Sequence, residues 1–245
     1  MFQTFLVQPI YNLFVLLIGI MPGGDVGLAI IALTLIIRLV FYPAFSASIR
    51  TQMGMQRIQG EIDEINKKYK DNPDEKAKRT MALFKEHQIR PFGSILALLI
   101  QLPVFFALSY TFFREGLPKI ATTLLYSFTP APAHVATNFF GVLNLLGTHN
   151  IFLAILVGVL QYGVISFSLA RASKPTPGVG NKEKEAAMRM QQQLMRYVMP
   201  AMMGALSYAF PSAMGLYLLT MSAVSLGQEW LIRREIKGTS VTAAH

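Results

Sequence analysis

Residues 26–45 read VGLAIIALTLIIRLVFYPAF, and this run decides the class of the fold. Twenty residues of helix rise about 30 Å, the thickness of a bilayer's hydrocarbon core. The only charge in the run is Arg38, seven residues or about 10 Å from its end at Phe45. An arginine at that depth costs about 2.5–3.5 kcal/mol on insertion. The spans are read as holding no aspartate or glutamate to form an ion pair with it, so water is expected to solvate it in a polar groove open to the cytoplasm. Thr34, one turn earlier, Gln101, Gln161, Tyr162, Ser207, Thr220, Ser222 and Ser225 are mid-span polar residues able to line that groove. The plainer reading gives each hydroxyl to its own helix backbone or to a helix contact, and lets Arg38 snorkel to the headgroups.

Outward from this run, the chain of 245 residues is 53% hydrophobic and 14% charged, a composition that suits a bilayer better than water. Further apolar runs cover residues 93–113, 151–170, 194–210 and 212–232, the last two meeting at Pro211. The expected fold is an all-α integral membrane protein with five transmembrane helices. Lysine and arginine number ten in residues 46–92, six in 171–196 and three after Ile232, against none in 1–25 and two in 114–150. Basic loops stay cytoplasmic, so the N-terminus is expected outside and the C-terminus inside. The net charge of +9 then reports topology, and no nucleic-acid site is expected.

Residues 1–25 lack the basic start and small-residue cleavage pattern of a secretory leader. Gln8 and Asn12, one turn apart on an apolar stretch, predict a helix in the outer interface, with a sixth span as the alternative. Residues 46–92 predict a cytoplasmic helical hairpin. Ile58, Ile62, Ile65 and Tyr69 form one stripe and Ala77, Met81 and Phe84 the other, while Asn72-Pro73-Asp74-Glu75 has the pattern of a helix start. The hairpin reads as a simple connector or as a docking tip. Residues 114–150 form an outer loop, 171–193 a flexible cytoplasmic loop broken by Lys174-Pro175-Thr176-Pro177-Gly178, and 233–245 a cytoplasmic tail. Met195, Met199, Met202 and Met203 suit either ordinary packing or varied partner helices.

The sequence contains no cysteine, which excludes disulfides, thiolate metal sites and thiol nucleophiles. It contains neither GxxxxGK[ST] nor HExxH, and His87, His134, His149 and His245 are scattered. No cofactor, metal or catalytic residue is expected, and enzymes recede.

The run from Gly27 to Arg38 resembles the first core span of the YidC-type membrane protein insertases, a family that includes the mitochondrial oxidase-assembly and chloroplast Albino proteins. Ile100-Gln101-Leu102-Pro103-Val104-Phe105-Phe106-Ala107-Leu108 is similar to that family's second-span signature. Met199-Pro200, Phe210-Pro211, Gly215-Leu216-Tyr217 and Gln228 are similar to its last two spans. Leu218, Ser222 and Ala97 depart from its pattern. The resemblance implies a fuel-free insertase of the bacterial plasma membrane, with Arg38 and Tyr217 in a hydrophilic groove. Its partners would be nascent membrane-protein clients and the bilayer, with a Sec-type translocon and the ribosome as further candidates. A small-solute transporter or channel with a cationic midplane site is the alternative, and a purely structural assembly chaperone a third.

Overall fold

The computed structural model describes residues 3–89, 93–113, 117–169, 190 and 193–242. A π-helical turn, Gln3–Val7, leads into α1, Gln8–Ile20. The helix stops at Met21, where the backbone turns extended before Pro22. Gly23 and Gly24 then take φ of 65° and 67°, a region in which glycine carries no Cβ penalty. Asp25 starts α2, Val26–Val40: its Oδ1 accepts from Gly27 N at 2.7 Å and Leu28 N at 3.1 Å, satisfying donors that a helix start otherwise leaves open.

The first span was expected to run to Phe45. Instead α2 ends at Val40, and α3, Tyr42–Arg57, leaves it at 73°. Pro43 lies in the first turn of α3 and has no N–H with which to continue α2. Arg38 therefore sits in the last turn of a 15-residue helix, about 22 Å long. The predicted hairpin keeps only its outer part as a hairpin, α4, Gln59–Lys68, and α5, Pro73–Glu86. Asn72 caps α5 through a bond from Glu75 N at 3.1 Å. Ile58, Leu83, Phe84 and Ile89 form its small core, with Ile62 and Ile65 against them; Met81 is exposed.

Helix α6 covers Gly93–Phe113. The segment between α6 and the next helix holds a short two-stranded antiparallel sheet, β1, Asn138–Phe139, and β2, Leu143–Asn144, within an otherwise helical fold. Then come α7, Ile151–Leu169, a π-helical turn at Leu194–Val198, α8, Met199–Ala209, and α9, Ser212–Thr242. The tail expected from residue 233 is a continuation of α9 as far as Thr242. The flexible loop expected over 171–193 falls almost wholly outside the described residues. Among the described residues α7 alone is long and apolar enough to cross a bilayer by itself, and the bent pair of α2 and α3 makes a second candidate. Helices α2 and α8 fall short, at 15 and 11 residues.

The main core joins α1, α2, α6 and α9 through Phe14, Ile18, Ile30, Leu33, Val104, Leu108, Met214 and Tyr217. Helices α7 and α8 meet at small residues. A Cβ at Gly204 would lie 3.0 Å from Ala154 O and 3.7 Å from Gly158 Cα, so glycine is what permits this approach.

The outer segment is fastened to the helix ends by backbone bonds. Val26 N donates to Ala136 O at 3.0 Å, Ala136 N to Gly24 O at 2.9 Å, His149 N to Tyr208 O at 3.0 Å and Ser212 N to Gly147 O at 2.8 Å. Side chains add to this. Asp25 Oδ2 accepts from Phe140 N at 3.0 Å, and Asn12 Oδ1 from Tyr126 N at 2.7 Å; Asn12 Nδ2 donates to Leu124 O at 2.9 Å. Gln8 Nε2 donates to the same carbonyl at 3.1 Å. The polar pair read as facing the headgroups thus faces protein backbone. Because Asp25 both caps α2 and holds β1, Asp25→Ala is expected to cost about 2 kcal/mol, a lost cap plus a stranded donor. A lower thermal midpoint in detergent would register it, and an unchanged midpoint would refute it.

Candidate functional site

Arg38 is only 6% exposed. The bend after Val40 brings α3 back beneath it, so that its guanidinium lies over the Phe45 ring, 4.2 Å from the centroid, a cation–π contact. From α9, Gln228 Oε1 accepts from Nη1 at 2.8 Å and Ser225 Oγ from Nη2 at 2.7 Å. The Ser225 hydroxyl donates its own proton to Met221 O at 2.8 Å, which leaves its lone pairs for the arginine. Thr34, Ile37, Gln101, Val104, Tyr217 and Met221 complete the lining, and the free space is about 10 Å³, room for roughly one water. Around Arg38 the space is small, and neutral side chains bind the cation.

The other predicted residues divide. Thr34, Gln101 and Tyr217 line the pocket, although the Thr34 hydroxyl is bonded to its own helix at Ile30 O, 2.7 Å. Thr220 likewise bonds Leu216 O at 2.8 Å. Gln161 and Ser222 meet each other across α7 and α9 at 2.8 Å. Tyr162 is 40% exposed and packs near the Tyr197 ring, 5.9 Å between centroids. Ser207 is buried at the α8–α9 junction, where a Cβ on Gly215 would come within 2.5 Å of its oxygen.

Two participants were not in the predicted set. Phe45 was read as the last residue of a straight span, and Gln228 as a family mark only. Tyr217, Met221, Ser225 and Gln228 recur every three or four residues on one face of α9, a helical stripe that could have identified the pair. The expectation that the spans hold no acid is overturned by Glu229, inside the expected fifth span. Glu229 is adjacent to Gln228 but is held by Arg233. Arg233 also reaches Ser168 O at 3.4 Å and lies over Phe167, 5.2 Å from its centroid, so this buried pair fastens α9 to the end of α7. Among the described residues no carboxylate is bonded to Arg38.

A family model described as the 60Kd inner membrane protein matches residues 18–239. The chain belongs to this family. Relatives named membrane protein insertase YidC align along nearly all of it. That of Oceanobacillus iheyensis is 31% identical over 240 residues, which are 95% of this chain and 83% of that protein. That of Clostridium perfringens is 30% identical over 238 residues, 93% of this chain and 91% of that protein. The protein of Alcanivorax borkumensis is 30% identical over 248 residues, 96% of this chain, but the chain spans only 38% of that protein. The YidC resemblance read from residues 27–38, 100–108 and 199–228 is thereby established. Membership also makes this a protein of the bacterial inner membrane.

Proposed function

We propose that this YidC family member inserts client transmembrane helices into the bilayer and carries short acidic tails outward past Arg38, without nucleotide hydrolysis. The observation that carries this reading is the chemistry around Arg38. Its partners are an amide, a hydroxyl and an aromatic ring, so a full positive charge stays uncompensated inside the protein. A client carboxylate is a stronger partner than either neutral ligand, since charge-assisted bonds are about twice as strong as neutral ones. Entry of an acidic tail would exchange Ser225 and Gln228 for the client and open the pocket.

The energetics need no fuel. A client segment gains about 0.3–0.6 kcal/mol per Leu, Ile, Phe or Val at the bilayer centre, several kcal/mol over a span. An inside-negative potential adds about 2.3 kcal/mol per negative charge per 100 mV to outward movement. The orientation proposed is five crossings with the N-terminus outside and the C-terminus cytoplasmic, supported by 19 lysines and arginines in the inner segments against two in the outer. Nascent clients are the proposed partners, with a Sec-type translocon and the ribosome as accessory ones. A solute pathway draws no support from a pocket of about 10 Å³.

A client whose outer tail carries aspartates is expected to insert efficiently into proteoliposomes, and the same client with lysines in their place to insert several-fold less. Protease protection of the tail reads the difference, and equal protection of both tails would rule the electrostatic step out.

A further inference from the structure

The outer segment carries an apolar tip largely exposed among the described residues. Phe140 is 68% exposed, Val142 91% and Phe128 71%, with Tyr126 stacked on Phe128 at 5.2 Å between centroids. Their backbone is fixed. Phe140 N is bonded to Asp25, Gly141 N to Asn138 O at 3.1 Å and Val142 N to Phe139 O at 3.0 Å, and the Phe139 ring fills the space a Cβ on Gly27 would need. Residues 117–150 contain no aspartate or glutamate and one lysine, Lys119. A rigid, nearly uncharged hairpin with bare aromatic and branched side chains suits an apolar neighbour.

Helix lengths say which neighbour. From Val26 at the hairpin to Arg38 is 12 residues, about 18 Å, and all of α2 is about 22 Å, against a hydrocarbon core of about 30 Å. With Arg38 at the inner side, the outer end of α2 stops short of the opposite headgroups, and the hairpin bonded to that end occupies the remaining depth. The first residues of α7, which follow directly on this segment, continue the apolar surface through exposed Ile151, Phe152 and Ile155. Tyrosine favours this level of a membrane, and Tyr126 stacks on Phe128.

We propose that the hairpin tip, Phe140 to Val142, together with Phe128, is seated at the headgroup–acyl boundary of the outer leaflet, with lipid as its occupant. The proposal depends on the chain's residence in a membrane and not on the role of Arg38. Because the sequence has no cysteine, Val142→Cys and Phe140→Cys each place one spin label on the full chain in proteoliposomes; Val142, 91% exposed, is the less disturbing position, since Phe140 packs on the Phe139 ring. Val159→Cys on the exposed face of α7 and Asp71→Cys at the α4–α5 turn serve as lipid and water references. Collision with oxygen relative to a neutral nickel chelate is expected to be several-fold higher at 142 and 140 than at 71, approaching the value at 159. A ratio equal to that at 71 would place the tip in water. Low collision with both reagents would mean that a protein, or a second copy of this chain, covers it. Either result overturns the proposal.

Discussion

Arg38→Ala is expected to reduce insertion of an acidic-tailed client by about ten- to a hundredfold, the equivalent of the roughly 1.5–3 kcal/mol typical of a hydrogen bond to a charged group. Arg38→Lys should fall between the two. It keeps the charge but loses the fork that reaches Ser225 and Gln228 together and the flat stack on Phe45. A client with a neutral tail should be affected much less by either change. Because the partners of Arg38 are neutral, its removal strands no buried counter-charge, and Gln228 and Ser225 remain free to bond each other. Thermal stability should therefore move little, which separates a defect in insertion from a defect in folding. Protease protection in proteoliposomes measures the first and a detergent melt the second. Undiminished insertion by both variants would remove the charge from the mechanism.

The largest structural effect is expected at Gly24. Its φ is +67°, and a Cβ there would lie 2.2 Å from the carbonyl oxygen of His134. Gly24→Ala thus combines left-handed strain of about 1 kcal/mol or more with a clash against backbone that no rotamer can relieve, of about 1–3 kcal/mol. Gly23 is the natural control. It has φ of +65° but nothing within 4 Å of the added atom, so Gly23→Ala should cost only the strain. A melting series in detergent should show Gly24→Ala well below Gly23→Ala, with the latter slightly below the parent. Equal midpoints for the two alanine variants would contradict the contact between Gly24 and residue 134. Insertion should fall with stability here, for acidic and neutral tails alike, in contrast to the Arg38 variants.

Local features of the chain were legible in its sequence, and features that depend on distant partners were not. Asn72-Pro73 marks a helix start by chemistry contained within four residues, and α5 begins there. The stripe Ile58, Ile62, Ile65 needs only the helical period and finds Phe84 opposite. Hydropathy averaged over twenty residues ran past the break at Phe41, although Tyr42-Pro43 carried the information that α2 could not continue. Gln8 and Asn12 advertised a polar face but not its occupant; headgroups and the backbone of residues 124 and 126 ask for the same donors and acceptors. For Arg38 the cost of burial identified the residue. Its partners lie 187 and 190 positions along the chain, and no local pattern links them to it. Thr34 and Thr220 follow the plainer reading of mid-span hydroxyls: their own helices satisfy them, although Thr34 also lines the pocket.

The manner in which the outer segment is fastened bears on how the molecule can yield. Backbone bonds from residues 136, 147 and 149 clamp the outer ends of α2, α8 and α9. Among the described residues the opposite ends are linked through side chains: the exposed Arg50–Glu235 pair at 2.9 Å, of a kind worth about 1 kcal/mol at most, and the buried Glu229–Arg233 pair with its reach to Ser168 O. In the orientation proposed above, the molecule would work like a clothes-peg, with its spring on the outside of the membrane and its jaws toward the cytoplasm.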